Sequence, residues 1–295
     1  MLSGTAPSAR SHRLPKTESR FYFFLASALR RIPFSSKSSH VTDPTASPDA
    51  PDDPRLGPRA AALSHHFLRA VRMAGDTDHW EATLAELSRA DLMPVLRERG
   101  PGLAFWINVY NAATQLRLRR DGDSFGDRSR FFGTPCLTVA GTRLSLDDME
   151  HGILRGGRPK LGLGFIPGIF SRPPFPGLRL PLDPRIHFAL NCGAASCPPI
   201  AAYTTSGIDG ELDLATRSYL EQEVDYDPER RAVTLPRICL WYMGDFGGFP
   251  GLRTLLREHG VIPTQHSPSI RFSSYDWRAT PGSFTDLHGE GQNSG

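Results

Sequence analysis

The sequence predicts an α+β protein that is mainly α. It predicts a single globular domain with a small central sheet, long Gly/Pro-rich loops and a disordered N-terminal arm. Three observations support this fold class: apolar residues recur at helical spacing, strictly alternating segments are few and short, and Gly and Pro dominate long connecting segments. With 295 residues, 39% hydrophobic and 22% charged, the chain is long enough to bury a core of its own.

The N-terminal segment, residues 1–57, is predicted to be a disordered arm or a targeting segment. Residues 1–40 contain seven Lys or Arg and one acid, Glu18. Residues 33–58 are rich in Pro, Ser, Asp and Thr, with almost no large apolar side chain to bury. This composition also fits a transit or signal segment. Without such a role for the arm, we expect a cytoplasmic protein.

Charge, hydropathy and cysteine content exclude several classes of function. The net charge is +3, but the basic excess lies in the arm, so the rest of the chain is no basic nucleic-acid surface. No apolar run approaches the roughly 20 residues that span a bilayer, so no transmembrane segment is expected. Four cysteines are too few for a disulfide-built scaffold. We expect an unknown substrate or peptide as the partner and no cofactor, and the oligomeric state stays open.

The domain organisation follows from where these patterns change. We predict four segments: the arm at 1–57, a helical extension at 58–89, the main domain at 90–280 with its most specific part at 97–222, and a disordered tail at 281–295.

Helices dominate the first part of the main domain. One helix is expected to begin near Arg59, and others are expected over 79–87 and 90–97, after which Gly100-Pro101-Gly102 interrupts the pattern. Residues 103–118 are apolar on nearly every side, which predicts a buried helix.

Short strands and turns follow that helix. Residues 136–145 predict a hairpin with its turn at Gly141, and Ser145 with Asp148 resembles a capping box that opens a helix over 146–155. Residues 156–181 are a long Gly/Pro-rich loop. The remaining elements are predicted as a central strand at 185–191, a helix at 211–222, a strand at 232–235, a helix at 252–259 and a strand at 270–272.

The central strand carries the residues best suited to chemistry. Apolar and other residues alternate over 185–191, so His187 and Asn191 are expected on one face. Cys192 and Cys197 follow directly, with Gly193 allowing a sharp turn between them. A thiol beside an imidazole predicts a thiol-dependent hydrolase or transferase in which His187 acts as base for Cys192 or Cys197.

An acid or an amide could orient that histidine. A helical wheel over 146–155 places Glu150 on the apolar side, and His151 and Arg155 on the solvent side. A buried carboxylate needs a partner, either in such a site or in an ion pair with an arginine such as Arg185. Two other hypotheses use the same side chains. His187, Cys192, Cys197 and Glu150 could ligate zinc, or the two cysteines could close a small disulfide loop.

Three amides form one polar stripe on the buried helix. Asn108, Asn111 and Gln115 lie within about 60° of arc. Buried amides need hydrogen-bond partners, so the stripe either lines a groove for an extended peptide or small polar ligand, together with Asn191, or braces loops inside the core. The first alternative predicts a binding or scaffold domain without catalysis.

Two aromatic clusters near the C-terminus each carry an acid. They are Trp241-Tyr242 with Asp245-Phe246, and Tyr275-Asp276-Trp277. We interpret them as a core edge and a C-terminal latch, because aromatic side chains bury a large area while the acid caps or pairs.

Three blocks of this sequence resemble the domain-of-unknown-function 547 family. The blocks are Ala104-Phe-Trp-Ile-Asn-Val-Tyr-Asn-Ala112, Ser145-Leu-Asp-Asp-Met-Glu-His-Gly-Ile-Leu-Arg155 and Asp183-Pro-Arg-Ile-His-Phe-Ala-Leu-Asn-Cys-Gly-Ala-Ala-Ser-Cys-Pro-Pro199. The aromatic clusters continue the resemblance, which covers roughly residues 90–280. The family implies no settled activity. Its plant members often carry a leucine zipper before the domain, but this arm has no heptad repeat, and Arg278-Ala279 stands where the family has Leu-Asn.

Overall fold

The computed structural model describes residues 56–170, 173–175 and 177–287. It confirms a mainly helical fold with two small sheets. The helices are α1 (Leu56–Arg72), α2 (Asp78–Glu86), α3 (Arg89–Leu96), α4 (Arg99–Asp121), α5 (Arg128–Gly133), α6 (Ile208–Glu223), α7 (Arg237–Trp241) and α8 (Gly248–Glu258). The strands are β1 (Leu137–Val139), β2 (Thr142–Leu144), β3 (Asp225–Asp227), β4 (Ala232–Leu235) and β5 (Ser269–Phe272).

None of the helices in the described ranges is both long and apolar enough to cross a bilayer. Residues 1–55 of the predicted arm and residues 288–295 of the predicted tail lie outside the described residues.

Helix α4 lies at the centre of the main core. Its residues from Gly102 to Leu118 are all buried, so the buried helix predicted from apolar residues on every side is confirmed. Gly100-Pro101-Gly102 does not interrupt the helical pattern, because these residues form the first turn of α4, where Pro is tolerated. A Cβ at Gly102 would lie 2.6 Å from the Leu180 side chain. The glycine therefore permits close packing at this point.

The predicted hairpin is strands β1 and β2, which pair antiparallel. Its two turn residues, Ala140 and Gly141, have φ angles of 46° and 70°, the left-handed geometry of a tight two-residue turn. Their backbone N–H groups donate to Leu84 and Ala85 of α2 at 2.8 and 2.9 Å. The hairpin tip is therefore fixed to α2.

The helix after the hairpin is a π-helix over Asp148–Leu154. The predicted capping box is present, since the N–H of Ser145 donates to the Asp148 carboxylate at 2.9 Å and the N–H of Asp148 donates to Ser145 Oγ at 3.1 Å. In a π-helix the hydrogen bonds join residues five apart, as from Arg155 N–H to Glu150 O at 2.8 Å. Each residue therefore turns through less than the angle of an α-helical wheel.

This wider turn overturns part of the wheel prediction. Glu150 is buried as expected, but His151 and Arg155 are buried too, with 8% and 0% of their surfaces exposed. The prediction that His151 and Arg155 lie on the solvent side is therefore wrong.

The central strand predicted over 185–191 is wrong. Pro184–Phe188 is a 3-10 helix, and the Asp183 side chain caps it by accepting the N–H of Arg185 at 3.0 Å. Proline at the first helical position favours this conformation. Ile186, His187 and Phe188 are all buried, so the alternation in the sequence does not reflect one apolar and one exposed face.

The Arg185 side chain does not pair with Glu150. It contacts the carboxylates of Asp183, Asp209 and Asp213, each at 2.7 Å. These contacts connect the 3-10 helix to α6.

The second sheet has the order β3-β4-β5, with β3 and β4 antiparallel and β4 and β5 parallel. It packs with α7 and α8 around a second group of buried residues that includes Val233, Leu235 and Leu252. The described start of the predicted tail pairs with the main core, because Thr285 N–H donates to Ile200 O at 2.9 Å.

Candidate functional site

Cys192 and Cys197 lie at the two ends of a tight turn. The N–H of Cys197 donates to Ala194 O at 3.0 Å, and the N–H of Cys192 donates to Cys197 Sγ at 3.0 Å. Both side chains are free thiols and half-buried. Two further backbone bonds, from Ala195 to Arg278 O and from Ser196 to Asp276 O, hold the turn against the C-terminal segment. The backbone therefore positions both sulfurs.

The hydroxyl of Tyr275 contacts both sulfurs. It lies 3.2 Å from Cys192 Sγ and 3.1 Å from Cys197 Sγ. The Tyr275 ring packs against both Trp241 and Trp277, with centroids 4.7 Å away in each case, and the two tryptophans also contact each other. The aromatic clusters that the sequence indicated as a core edge and a latch thus meet at the thiols.

The two thiols have opposite pKa shifts. Burial alone would raise the pKa of Cys197, but hydrogen bonds from the Cys192 thiol, the Tyr275 hydroxyl and nearby backbone N–H groups lower it below its ordinary value. The hydrogen bond to Cys197 and then burial raise the pKa of Cys192 well above its ordinary value. Of the two sulfurs, Cys197 therefore has the greater tendency to lose its proton.

His187 lies beside the buried ion pair of Arg155 and Asp245. Its Nε2 lies 2.9 Å from Asp245 Oδ2, and Arg155 Nε donates to the same oxygen at 2.7 Å. The side chains of Arg155 and Asp245 are both fully buried. No sulfur in the described residues forms a hydrogen bond with His187, so the structure places this imidazole with Asp245 and the thiols with Tyr275.

Glu150 lies between two tyrosine hydroxyls. Tyr242 donates to Oε1 at 2.5 Å and Tyr110 donates to Oε2 at 3.1 Å. Burial would raise the pKa of Glu150, but contacts with His151, Tyr242 and Arg155 lower it below its ordinary value. The carboxylate is therefore ionised at neutral pH, and it accepts a hydrogen bond from each of the two tyrosine hydroxyls.

Tyr242 connects the two buried groups. The His187 ring stacks on the Tyr242 ring with centroids 3.8 Å apart and planes 11° apart. Burial, then Glu150, and then the nearby thiol of Cys192 raise the pKa of both Tyr110 and Tyr242. His187 and Glu150 thus contact the same tyrosine, and this tyrosine lies near the cysteine turn.

The zinc hypothesis has no support in this geometry. Within the described parts of the chain, no group of three or more His, Cys, Asp or Glu side chains is placed to hold a metal ion. The four candidate ligands divide between different partners: His187 contacts Asp245, Glu150 contacts two tyrosines and the cysteines contact Tyr275.

A known protein family matches the segment that contains the cysteine turn. Residues 97–220 match the family described as "Protein of unknown function, DUF547". This segment is a DUF547 domain. It confirms the resemblance inferred from the three sequence blocks. The chain matches no curated protein and no solved structure.

The match covers only part of the site. Cys192, Cys197, Glu150 and His187 lie within the DUF547 domain, whereas Asp245 and Tyr275 lie beyond residue 220. Residues on the C-terminal side of the domain therefore complete the surroundings of its thiols and its histidine.

The amide stripe of the DUF547 domain holds backbone segments together. Asn108 exchanges two hydrogen bonds with Tyr203, donating to its O at 2.8 Å and accepting its N–H at 2.9 Å. Asn111 donates to Ala189 O at 3.0 Å and accepts Asn191 N–H at 2.9 Å. Gln115 accepts the N–H of Gly282 at 2.8 Å and lies 3.4 Å from the Asn191 side chain.

These bonds have a direct effect on the cysteine turn. Asn191 accepts the N–H of Gly193 at 2.8 Å and donates to Pro198 O at 2.7 Å, so it fixes both ends of the turn. All three helix amides are fully buried, and both ends of each amide contact another part of the chain. The described contacts match the bracing alternative.

Sequence reasoning missed five residues of the site: Tyr110, Arg155, Tyr242, Asp245 and Tyr275. The α-helical wheel placed Arg155 in solvent, and the two aromatic clusters were interpreted as packing. An acid or hydroxyl within a cluster of large aromatic residues is a weak signal, yet it was the signal available for Tyr242, Asp245 and Tyr275.

The buried histidines of the domain predict a loss of stability in mild acid. Burial lowers the pKa of His187 and of His151 below the ordinary value, so the unfolded chain binds protons that the folded chain does not. The free energy of unfolding should therefore fall as pH decreases through about 6.5, by at most about 1.4 kcal/mol per pH unit for each such histidine. His65 and His259 shift in the same direction.

Urea unfolding at several values between about pH 7.5 and 5.5 measures this slope. The carboxylates with lowered pKa values titrate below this window and do not contribute to it. His151→Gln should reduce the slope. An unfolding free energy that stays constant or rises toward pH 5.5 would contradict the assignment of neutral buried histidines.

Proposed function

We propose that the DUF547 domain of this protein is a thiol-dependent enzyme of the hydrolase or transferase type, with Cys197 as its nucleophile. One observation carries the proposal: Cys197 Sγ accepts the N–H of Cys192 at 3.0 Å and contacts the Tyr275 hydroxyl at 3.1 Å. Hydrogen-bond donors around a sulfur stabilise the thiolate, which is the reactive form. Cys197 as a whole residue is half-buried and not fully enclosed.

The proposed reaction uses both thiols. The Cys197 thiolate forms a bond with the carbonyl carbon of an ester or amide, and the leaving group departs with a proton from the Cys192 thiol. Water or a second acceptor then attacks the thioester, the carbon–sulfur bond breaks to restore the Cys197 thiolate, and the proton of the attacking group returns to Cys192. Burial keeps the Tyr275 hydroxyl protonated by raising its pKa, so it can donate a hydrogen bond to the sulfur whenever the sulfur is charged.

His187 and Glu150 have positioning roles in this proposal. This proposal does not use His187 as the base for a sulfur, because its Nε2 hydrogen-bonds to Asp245 and the contacts of both sulfurs are with Tyr275. Both residues contact Tyr242 and so fix that ring beside the cysteine turn. The sequence hypothesis of a Cys-His pair is therefore modified: the nucleophile is still a cysteine, and Cys192 in place of His187 donates the proton to the leaving group and takes one up again in the second step.

An activated ester tests the proposal. Incubation of the full chain with p-nitrophenyl acetate should give rapid nitrophenolate release and an acetyl group on Cys197. We expect Cys197→Ala to lower the acylation rate at least about 100-fold, because the nucleophile is removed. Mass spectrometry of tryptic peptides locates the acetyl group.

Cys136→Ser is the matched control. Cys136 is also free and half-buried, but it lies outside the cluster, and burial raises the pKa of its thiol. This variant should react like the wild type. Equal acylation of Cys136 and Cys197, or none, would exclude Cys197 as a selective nucleophile. A non-catalytic peptide- or ligand-binding domain, the alternative, predicts no selective acylation.

A further inference from the structure

We propose that Cys192 and Cys197 also form a redox-active dithiol, which reacts with low-molecular-weight disulfides and closes reversibly into an intramolecular disulfide. This activity goes beyond the acyl chemistry proposed above and does not depend on it. Two thiols held on one tyrosine hydroxyl at the ends of one turn are the observation that carries it.

The turn already brings the two side chains to bonding range. Cys197 Sγ lies 3.0 Å from Cys192 N, which places it within about 4.5 Å of Cys192 Cα, one backbone bond further. A sulfur on the Cys192 side chain can reach an atom at this distance from Cys192 Cα, so the geometry is compatible with a bond between the two sulfurs.

The backbone of the turn is fixed in this geometry. Gly193 has a φ angle of 91°, and a Cβ there would lie 2.6 Å from the Leu118 side chain, so any other residue would be strained at this position. The bond from Cys197 N–H to Ala194 O closes the turn, and the bonds from Asn191 hold both of its ends. Both thiols therefore stay close together in the reduced protein.

The exchange proceeds in two balanced steps. The Cys197 thiolate attacks one sulfur of a small disulfide, forms a mixed disulfide and releases one small thiolate, which takes up a proton. Cys192 then loses its proton and attacks the Cys197 sulfur, which forms the Cys192–Cys197 disulfide and releases the second small thiol. Two protein thiols are oxidised, and one small disulfide is reduced to two thiols.

The environment gives each sulfur its own step. Cys197 has more thiolate character, so it attacks first. The hydrogen bond to Cys197 is the first cause of the raised pKa of Cys192. A mixed disulfide on Cys197 is neutral and removes this hydrogen bond. Cys192 is therefore easier to deprotonate in the second step of the exchange.

Peptide mapping of the full chain tests the proposal without any substitution. Trypsin leaves residues 186–217 as one peptide, which carries both sulfurs and no other cysteine. After exposure of the reduced protein to glutathione disulfide at neutral pH, this peptide should resist alkylation and have lost two hydrogen atoms in mass. Dithiothreitol should restore both thiols. The peptides that carry Cys136 and Cys239 provide internal controls.

Two variants separate the steps. In Cys192→Ser the mixed disulfide with glutathione should accumulate on Cys197, at a rate at least about tenfold above that at Cys136. In Cys197→Ser the remaining Cys192 should react slowly. A wild-type peptide that stays fully alkylatable, or that carries glutathione on both cysteines, would overturn the proposal. Ester acylation without disulfide formation would support Cys197 as the acyl nucleophile and exclude the redox-active dithiol. Disulfide formation without ester acylation would support the dithiol and exclude the proposed acyl chemistry.

Discussion

Replacement of Asp245 by alanine should lower the free energy of unfolding by about 3–5 kcal/mol. Its carboxylate accepts Arg155 Nε at 2.7 Å and contacts His187 Nε2 at 2.9 Å, and the side chains of Asp245 and Arg155 have no exposed surface. Without this carboxylate, the buried positive charge of Arg155 loses the negative charge that neutralises it. The loss of one partner of a buried pair is costly because the remaining charge keeps its desolvation penalty.

Urea denaturation followed by circular dichroism measures the change. Asp245→Asn keeps the shape and one acceptor, so we expect a smaller loss. Asp286→Ala is the matched control, because Asp286 pairs with Arg72 on the surface, where ion pairs contribute little. A loss for Asp245→Ala no greater than that of the control would show that the buried pair does not stabilise the fold.

Replacement of Asn111 by alanine should lower the free energy of unfolding by about 2–6 kcal/mol. The substitution leaves two buried backbone groups without partners, Ala189 O and Asn191 N–H, and each such group costs about 1–3 kcal/mol. Because Asn191 precedes Cys192 directly, the cysteine turn should also loosen. We therefore expect Cys197 to lose its advantage in alkylation rate over Cys136.

The matched control is Gln222→Ala, which removes an exposed amide from α6. Surface changes of this kind alter stability by no more than about 0.5 kcal/mol. If Asn111→Ala matched the control in stability and kept the selectivity of Cys197, the amide would have no bracing role. A large loss of stability with unchanged selectivity would restrict that role to the core.

Local patterns predicted the elements whose stability is local. Apolar residues around the whole circumference of 103–118 indicated a buried helix, and α4 is buried from Gly102 to Leu118. The hairpin at Gly141 and the capping box at Ser145 can be recognised from neighbouring residues alone, and both are present. Their physical causes, turn geometry and reciprocal hydrogen bonds, lie within a few residues of sequence.

The same reasoning failed where packing replaces local preference. Alternation over 185–191 indicated a strand, but Asp183 caps a 3-10 helix there, and every side chain from Ile186 to Phe188 finds a buried position. The wheel over 146–155 assumed α-helical geometry, and the π-helix brings His151 and Arg155 inside. Sequence periodicity predicts which side chains are buried only under two conditions. The backbone must have the assumed geometry, and only one side of the element must be buried.

For the site, the sequence by itself determined the family of residues 97–220 and the short turn that keeps Cys192 near Cys197. Tertiary structure decided the partners: Asp245 for His187, 58 residues away, and Tyr275 for Cys197, 78 residues away. Contacts of this kind form because distant segments bury their polar groups against one another, and such pairing leaves no periodic or spacing signal within either segment.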